Sequence, residues 1–404
     1  MRNWQVSVGN SPVVLGFDFG GTKIATAVCD LTGNRLASAT ISTGAASVGA
    51  AGTAPTPAGQ PAAVRPPSER GARAILGRGI RAARELLATA APHSELAAVG
   101  AATFGIPFED RVELAPAIAG WESLALGREL RAAFGGAEVR MATDAKAAAT
   151  AEVRWGALNG CDPGVYLNLG TGLAAAIVVG GKVVTGGNGA AGEIGYNLRA
   201  VSDAGRPLGL RVPLEGMVSG QALALRAGAR GPGRAGGGEA GGEGAGTGGG
   251  GPGRPADPAA RAMTAADIFA ASAGDPELDD LISSFVAELA FHLVNLAICI
   301  NPVRIAVGGG MVRSWERLRP QLEHALSAGV PFPPELVVAQ FPDDAPLLGA
   351  VALAVDAAQG RGEQHRETSY DGLARNHDRG ADGAAVPVSK DPIYQNTMIQ
   401  DTMA

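Results

Sequence analysis

Two short glycine turns, each set between β-rich apolar runs, recur at corresponding places in the two halves of the chain. The first is Asp18-Phe19-Gly20-Gly21-Thr22-Lys23, where Val13–Phe19 gives way to Ile24–Cys29. The second is Asn168-Leu169-Gly170-Thr171-Gly172, between Val165–Leu169 and Ala174–Val179. An apolar run that stops at a few glycine-rich positions and resumes at once predicts a hairpin. Around these hairpins strand and helix signals alternate. Arg73–Ala91 has the pattern of an amphipathic helix and Leu96–Phe104 that of a buried strand. Glu138–Ala142 is a short strand running into an Ala-rich helix over Asp144–Trp155. Asp279–Asn301 predicts a long helix with Leu281, Phe285, Leu289 and Leu293 along one face. Arg304–Val307 predicts a strand entering Gly308-Gly309-Gly310, and Leu347–Val355 a closing helix. The pattern is α/β, with mixed sheets flanked by helices.

Composition limits how much of the chain takes part. Of 404 residues, 60 are Gly and 26 are Pro, about a fifth of the chain against a usual share of roughly 12%. The apolar fraction of 46% still suffices for a sizeable core. Much of the excess is local, since Gly228–Gly253 holds 15 glycines in 26 residues without periodicity. Residues 227–262 therefore predict a flexible loop. Residues 45–67 are a second low-complexity stretch, and 358–404 a polar tail expected to be disordered. The remainder divides into a first lobe over 11–144, carrying 45–67, and a second over 145–357, carrying 227–262. Cys29, Cys161 and Cys299 are odd in number and far apart, which argues against a disulfide framework or a Cys-rich zinc site. No charged-then-apolar leader opens the chain. Leu289–Ile300 is interrupted by His292 and Asn295 and is short for a bilayer span. A cytoplasmic protein with no membrane partner is the expectation. A net charge of −6 without a basic block disfavours nucleic acid.

The glycine turns are also where chemistry is expected. Glycine lets backbone N–H groups approach a phosphate with no Cβ in the way, and threonine adds a hydroxyl donor. Gly20, Gly21, Thr22 and Lys23 of the first turn, and Gly170, Thr171 and Gly172 of the second, are the candidate phosphate contacts. The alternative is two ordinary hairpins, with Lys23 a solvated turn cation. Asp18 is placed to hold Mg²⁺ through water, because hard cations prefer oxygen ligands. Thr143-Asp144 stands at a strand–helix junction. Either residue is a candidate helix cap, and Asp144 is a candidate general base for phosphoryl transfer to an alcohol. Glu193, between glycines in Gly192-Glu193-Ile194-Gly195-Tyr196, is suited to accept from sugar hydroxyls, or else is a solvated turn charge. Glu215 is a weaker case of the same kind. Trp121 is expected in the core. His93, His292 and His324 have no partner spacing and are assigned no role.

These segments together resemble the ROK family of sugar kinases, within the actin-like ATPase superfamily of two-lobed, ribonuclease H-like folds. The resemblance is carried, in order, by Gly16–Ala27, Gly105-Ile106-Pro107, Gly120-Trp121, Thr143–Glu152, Leu167–Ala176, Gly189–Gly195 and Asn301–Met311. Asp343-Asp344-Ala345 with Leu348-Gly349-Ala350 extends it. The resemblance implies ATP-dependent phosphorylation of a hexose hydroxyl, as in glucokinases. It implies Asp144 as base, the glycine turns as phosphate loops and Gly308, Gly309 and Gly310 as an adenosine segment. It implies sugar contacts from Gly105, Pro107, Thr143, Glu193, Tyr196 and Glu215, and it implies homodimers by analogy. The chain departs from the family at Tyr196, usually a zinc-binding His, and Leu198–Val212 contains no Cys. No structural zinc is therefore expected. Thr143 and Lys146 stand where the family has asparagines. A non-catalytic sugar- or nucleotide-binding member and a polyphosphate-dependent glucokinase are the alternatives. About a dozen residues precede the first strand, too few for the helix-turn-helix of related repressors.

Overall fold

The structure is a computed structural model and describes residues 11–43, 71–115, 117–229 and 263–360. The stretch 45–67 and most of 227–262 and 358–404 lie outside the described residues. In the first half, β1 (Val13–Phe19), β2 (Lys23–Asp30) and β3 (Arg35–Ser42) form an antiparallel meander. Helix α1 (Ala72–Ala90) leads to β4 (Leu96–Thr103), which lies parallel to β1. A small hairpin of β5 (Ile106–Pro107) and β6 (Val112–Glu113), then α2 (Leu126–Ala133), precede β7 (Glu138–Thr143), parallel to β4. The sheet order is β3-β2-β1-β4-β7.

Helix α3 (Asp144–Trp155) begins at the residue after β7 and crosses to a second sheet. There β8 (Gly164–Leu169), β9 (Leu173–Val179) and β10 (Lys182–Val183) are antiparallel. After α4 (Gly220–Gly228), α5 (Ala265–Ala271) and α6 (Pro276–Ile300), β11 (Arg304–Gly308) lies parallel to β8. Helix α7 (Trp315–Gly329) precedes β12 (Glu335–Val338), parallel to β11, and α8 (Ala345–Ala358) follows. The order β10-β9-β8-β11-β12 repeats the first sheet's pairing scheme. Both glycine turns therefore occupy one topological place, joining β1 to β2 and β8 to β9. Just beyond the next parallel strand, Gly105 after β4 and Gly309 after β11 both have left-handed backbone, at φ 77° and 90°. That conformation favours glycine.

Local signals account for the helix ends. The Asp275 side chain accepts from the N–H groups of Glu277 and Leu278, Pro276 sits in the first turn, and α6 stops at left-handed Asn301 before Pro302. Leu281, Phe285, Leu289 and Leu293 are all buried, as their spacing predicts. The helix has 25 residues, so it is longer than the apolar stretch the sequence suggested. Among the described residues it is the one helix long and apolar enough to cross a membrane, and half of its apolar window is packed inside the fold. Strand β3 escaped the sequence reading because its side chains alternate between partly buried and exposed along a sheet edge, with Leu36 half-exposed.

Helices α3 and α8 are the layer shared by both sheets. One face of the first sheet packs Phe17, Phe19 and Val99 against α1, Trp121 and α2. Its other face packs Val14, Ala27 and Ala98 against Leu347, Val351 and Val355 of α8. The second sheet is covered on one side by α4–α7 and on the other by Ala148 and Ala149 of α3. Two glycines set the backbone contacts of α8. A Cβ on Gly349 would fall on the Ala147 carbonyl of α3, and one on Gly100 would fall on the Ala350 carbonyl. At the far end of α3, the buried Glu152 carboxylate accepts from the N–H groups of Ala157 (2.7 Å), Gln340 (3.1 Å) and Phe341 (2.9 Å). It ties α3 to the segment after β12.

Candidate active site

Asp144 is the first residue of α3 and Thr143 is its cap. The Thr143 hydroxyl accepts from the Lys146 N–H at 3.4 Å, and Asp144 Oδ1 accepts from the Ala145 N–H at 2.7 Å. The capping role therefore falls to Thr143, and the Asp144 carboxylate is held at a helix N-terminus. Burial, with Glu193 and Glu215 nearby, pushes its pKa up to about 6, against the pull of the Ala145 N–H and Lys146. Such a carboxyl is ionised at neutral pH yet far more basic than an exposed aspartate.

A cluster of acids surrounds it. Asp18, near the end of β1, has its pKa raised to about 7 by burial and by Asp144, with Lys23 opposing. Glu193 pairs with the buried Lys146 ammonium at 3.1 Å, so it is a paired and partly shielded charge rather than a solvated turn residue. Glu215 accepts from the Leu173 N–H at 2.8 Å. Burial and Glu193 raise its pKa against that hydrogen bond. Tyr196 is half-buried, and burial followed by Glu215 and Glu193 raises its pKa. Residues from β1, α3, the segment after β10 and the turn before α4 thus meet in one electrostatic neighbourhood. Asp18 offers carboxylate oxygen, the donor type a hard divalent cation prefers. Among the described residues no group of three or more His, Cys, Asp or Glu is arranged to hold a metal ion.

The triglycine and the start of α4 pack on the second glycine turn, while the first turn closes on itself. The N–H groups of Gly20 and Gly170 close their own turns, donating to the carbonyls of Lys23 (2.9 Å) and Gly172 (3.0 Å). Of the amides proposed for phosphate, those of Gly21, Thr22, Thr171 and Gly172 are the ones the turns do not consume. Lys23 is exposed at the start of β2. Helix α4 docks on the second turn, Gly220 and Gln221 donating to the carbonyls of Gly170 (2.7 Å) and Thr171 (3.3 Å). A Cβ on Gly309 would lie 2.6 Å from the Leu169 carbonyl, so the triglycine presses on the same turn. Gly308 ends β11 under the Tyr166 hydroxyl, and Gly310 has open space around it.

Other residues lie around this cluster. Gly105 is wedged against the Glu113 carbonyl and Ala115, and Pro107 belongs to β5. Their loop reaches the site region through Ile106, which lies against Gly189. Trp121 is fully buried and donates to the Thr103 hydroxyl at 3.0 Å. His292 is buried on α6, its Nδ1 3.3 Å from Asn197 Nδ2. Burial lowers its pKa and favours the neutral ring. Arg211 donates to the carbonyls of Tyr196 (2.8 Å) and Asn197 (3.2 Å), and Arg199 pairs with Glu288 of α6. Sequence reasoning marks Lys146 as standing where the family has an asparagine but assigns it no role, and the structure places it against Glu193.

Known proteins resemble the chain over most of its length. A bifunctional enzyme NanE/NanK of Brucella melitensis is 29% identical over 349 residues, which is 85% of this chain and 54% of that protein. A glucokinase of Streptomyces coelicolor is 31% identical over 191 residues, 47% of this chain and 51% of that protein. The chain spans about half the length of the curated relatives it matches. The crystal structure of a ROK family glucokinase from Streptomyces griseus, in complex with glucose and AMPPNP, superposes with a TM-score of 0.59 at 27% identity. That match covers 85% of this chain and 99% of the other. The sequence profile of the ROK family matches residues 70–357. With the doubled sheet topology of the two-lobed actin-like ATPase fold, this match places the chain in the ROK family.

Proposed function

We propose that the protein is a sugar kinase that transfers the terminal phosphoryl group of ATP to a hydroxyl of a hexose, with Asp144 as general base. The observation that carries this reading is the Asp144 carboxylate, held at the start of α3 beside Glu193 and Glu215 with a pKa near 6. A base with that pKa is ionised at neutral pH and still accepts a proton readily. The glucokinase names among the relatives, and glucose with AMPPNP in the Streptomyces griseus structure, support the substrate class.

In this mechanism Glu193, Glu215 and Tyr196 hold sugar hydroxyls. The uncommitted amides of both glycine turns hold phosphate oxygens. Asp144 accepts the proton of the attacking hydroxyl as its oxygen bonds to the γ-phosphorus, and the bond to the bridging oxygen breaks to release ADP. A divalent cation bound with the nucleotide supplies charge neutralisation on the phosphates. Asp18 is the carboxylate that would hold it. Asp144→Asn keeps shape and the Oδ1 acceptor but removes the base, an effect worth roughly 10²–10⁴-fold in turnover. Coupled detection of ADP with a panel of hexoses tests this. The expected outcome is lost turnover with nucleotide affinity retained, and parent-like turnover by Asp144→Asn would reject Asp144 as the base.

A further inference from the structure

Lys146 is an unusual lysine. It lies in the first turn of α3, where the helix dipole disfavours a cation. Its side chain is only 4% exposed, and burying an ammonium is strongly unfavourable unless its charge and its donors are met. The charge is met by Glu193, with Nζ 3.1 Å from Oε1. The donors are not, for an ammonium has three and, among the described residues, the Glu193 bond is the one it makes. Buried polar groups seldom go without partners. Holding the 192–195 segment does not explain the pair. That segment is already fixed to β9 by the Ala175 N–H on the Gly192 carbonyl (2.8 Å) and by Gly195 packed on the Leu173 carbonyl. Lys146 stands two residues after Asp144 in the first turn of α3 and is bonded to Glu193, so the pair belongs to the acidic cluster where the acceptor sugar would bind.

We propose that Lys146 determines acceptor specificity by forming, with Glu193, a two-headed reader of adjacent sugar hydroxyls. The carboxylate accepts from one hydroxyl, and the ammonium donates to the oxygen of its neighbour. This rests on the sugar-kinase reading above. The pair demands a vicinal diol at a fixed distance from the hydroxyl that faces Asp144. A sugar lacking either hydroxyl leaves a buried charge without its partner, and it is rejected for that reason.

The test is steady-state kinetics with ADP detection on the full chain, using glucose, mannose, N-acetylmannosamine and the singly deoxygenated derivatives of each. Lys146→Met should raise the KM of the best sugar by roughly 10- to 100-fold, the range for a hydrogen bond to a charged group. The KM for ATP should stay within about threefold, since uniform loss of sugar binding does not reach the nucleotide. The parent should discriminate against one particular deoxy sugar, and that discrimination should collapse in the variant. Lys146→Met leaves Glu193 buried without its cation, so Lys146→Gln, which keeps a donor for Glu193, is run beside it, and thermal melting of both variants separates misfolding from lost recognition. Lys146→Gln should show a smaller rise in the sugar KM than Lys146→Met and a discrimination weaker than the parent's. Unchanged sugar KM and unchanged discrimination in a folded variant would overturn the proposal. So would a change confined to the acid limb of the kcat profile, which would make Lys146 a residue acting on Asp144 alone. If the parent turns over no sugar in the panel above its sugar-free background, the sugar-kinase reading fails, and this proposal with it.

Discussion

Asp144 carries two opposite consequences of one shifted pKa. As a base it must be ionised, so kcat/KM should rise with pH through a midpoint near 6 and flatten above it. A pH–rate profile with no acid limb between pH 5 and 7 would exclude it as the group that titrates. For stability the sign reverses. The carboxyl ionises near 3.8 in the unfolded chain and near 6 in the fold. Between those values the native state keeps a proton the unfolded state has released, so stability falls as pH rises across that window and stays lower above it. Asp144→Asn removes this penalty. In metal-free buffer its melting temperature should exceed the parent's at pH 8 by about 1–2 °C for each kcal/mol relieved, and the gap should close near pH 4. One substitution would thus weaken catalysis and strengthen the fold. Asp18, Asp144 and Glu193 were legible in the sequence because each sits beside a glycine turn or a strand–helix junction. The pairing of Lys146 with Glu193 was not, because the two are remote in sequence and only the fold brings them together.

At the scale of elements, the contacts of α8 set the place of Asp144. Gly349 lies against the backbone of Ala147, one turn along α3 from the candidate base. Gly349→Ala has no room for its methyl, and overpacking of this kind costs about 1–3 kcal/mol or more. We expect a lower melting temperature together with reduced kcat, read by thermal melting and the coupled assay. Ala350→Gly on the same helix, which only removes a methyl, should leave α3 in place and turnover closer to the parent's. The strands flanking the glycine turns and the long α6 were readable from apolar runs and from period-3.6 spacing. Helix α7 and β12 were not. Helix α7 has Pro320 inside it and many exposed charges, and β12 has only four residues at a sheet edge. The repeated pairing scheme of the two sheets was only hinted at by the paired turns, because strand order is set by crossovers that leave no local trace.

At the scale of the molecule, residues from both sheets and from the crossing helix α3 make up the proposed site. A ligand that engages them binds the folded chain and not the unfolded one. Saturating a site at a hundred times its Kd adds about 2.7 kcal/mol. ATP with Mg²⁺, and the preferred hexose, should therefore each raise the melting temperature in differential scanning calorimetry. The absence of any shift with either ligand would contradict a binding role of any kind for this cluster.

Helix α8 also dictates an order of events during synthesis. The face of the first sheet formed by Val14, Ala27 and Ala98 is closed by Leu347, Val351 and Val355. Those residues leave the ribosome only after every other described strand and helix has been made. Nascent chains that fold from the N-terminus usually complete one unit before starting the next. Here the first sheet must wait with one apolar face open until the last described helix emerges. The protein is built like a book whose front cover is bound last, and chains halted before α8 should be the ones that chaperones and proteases meet.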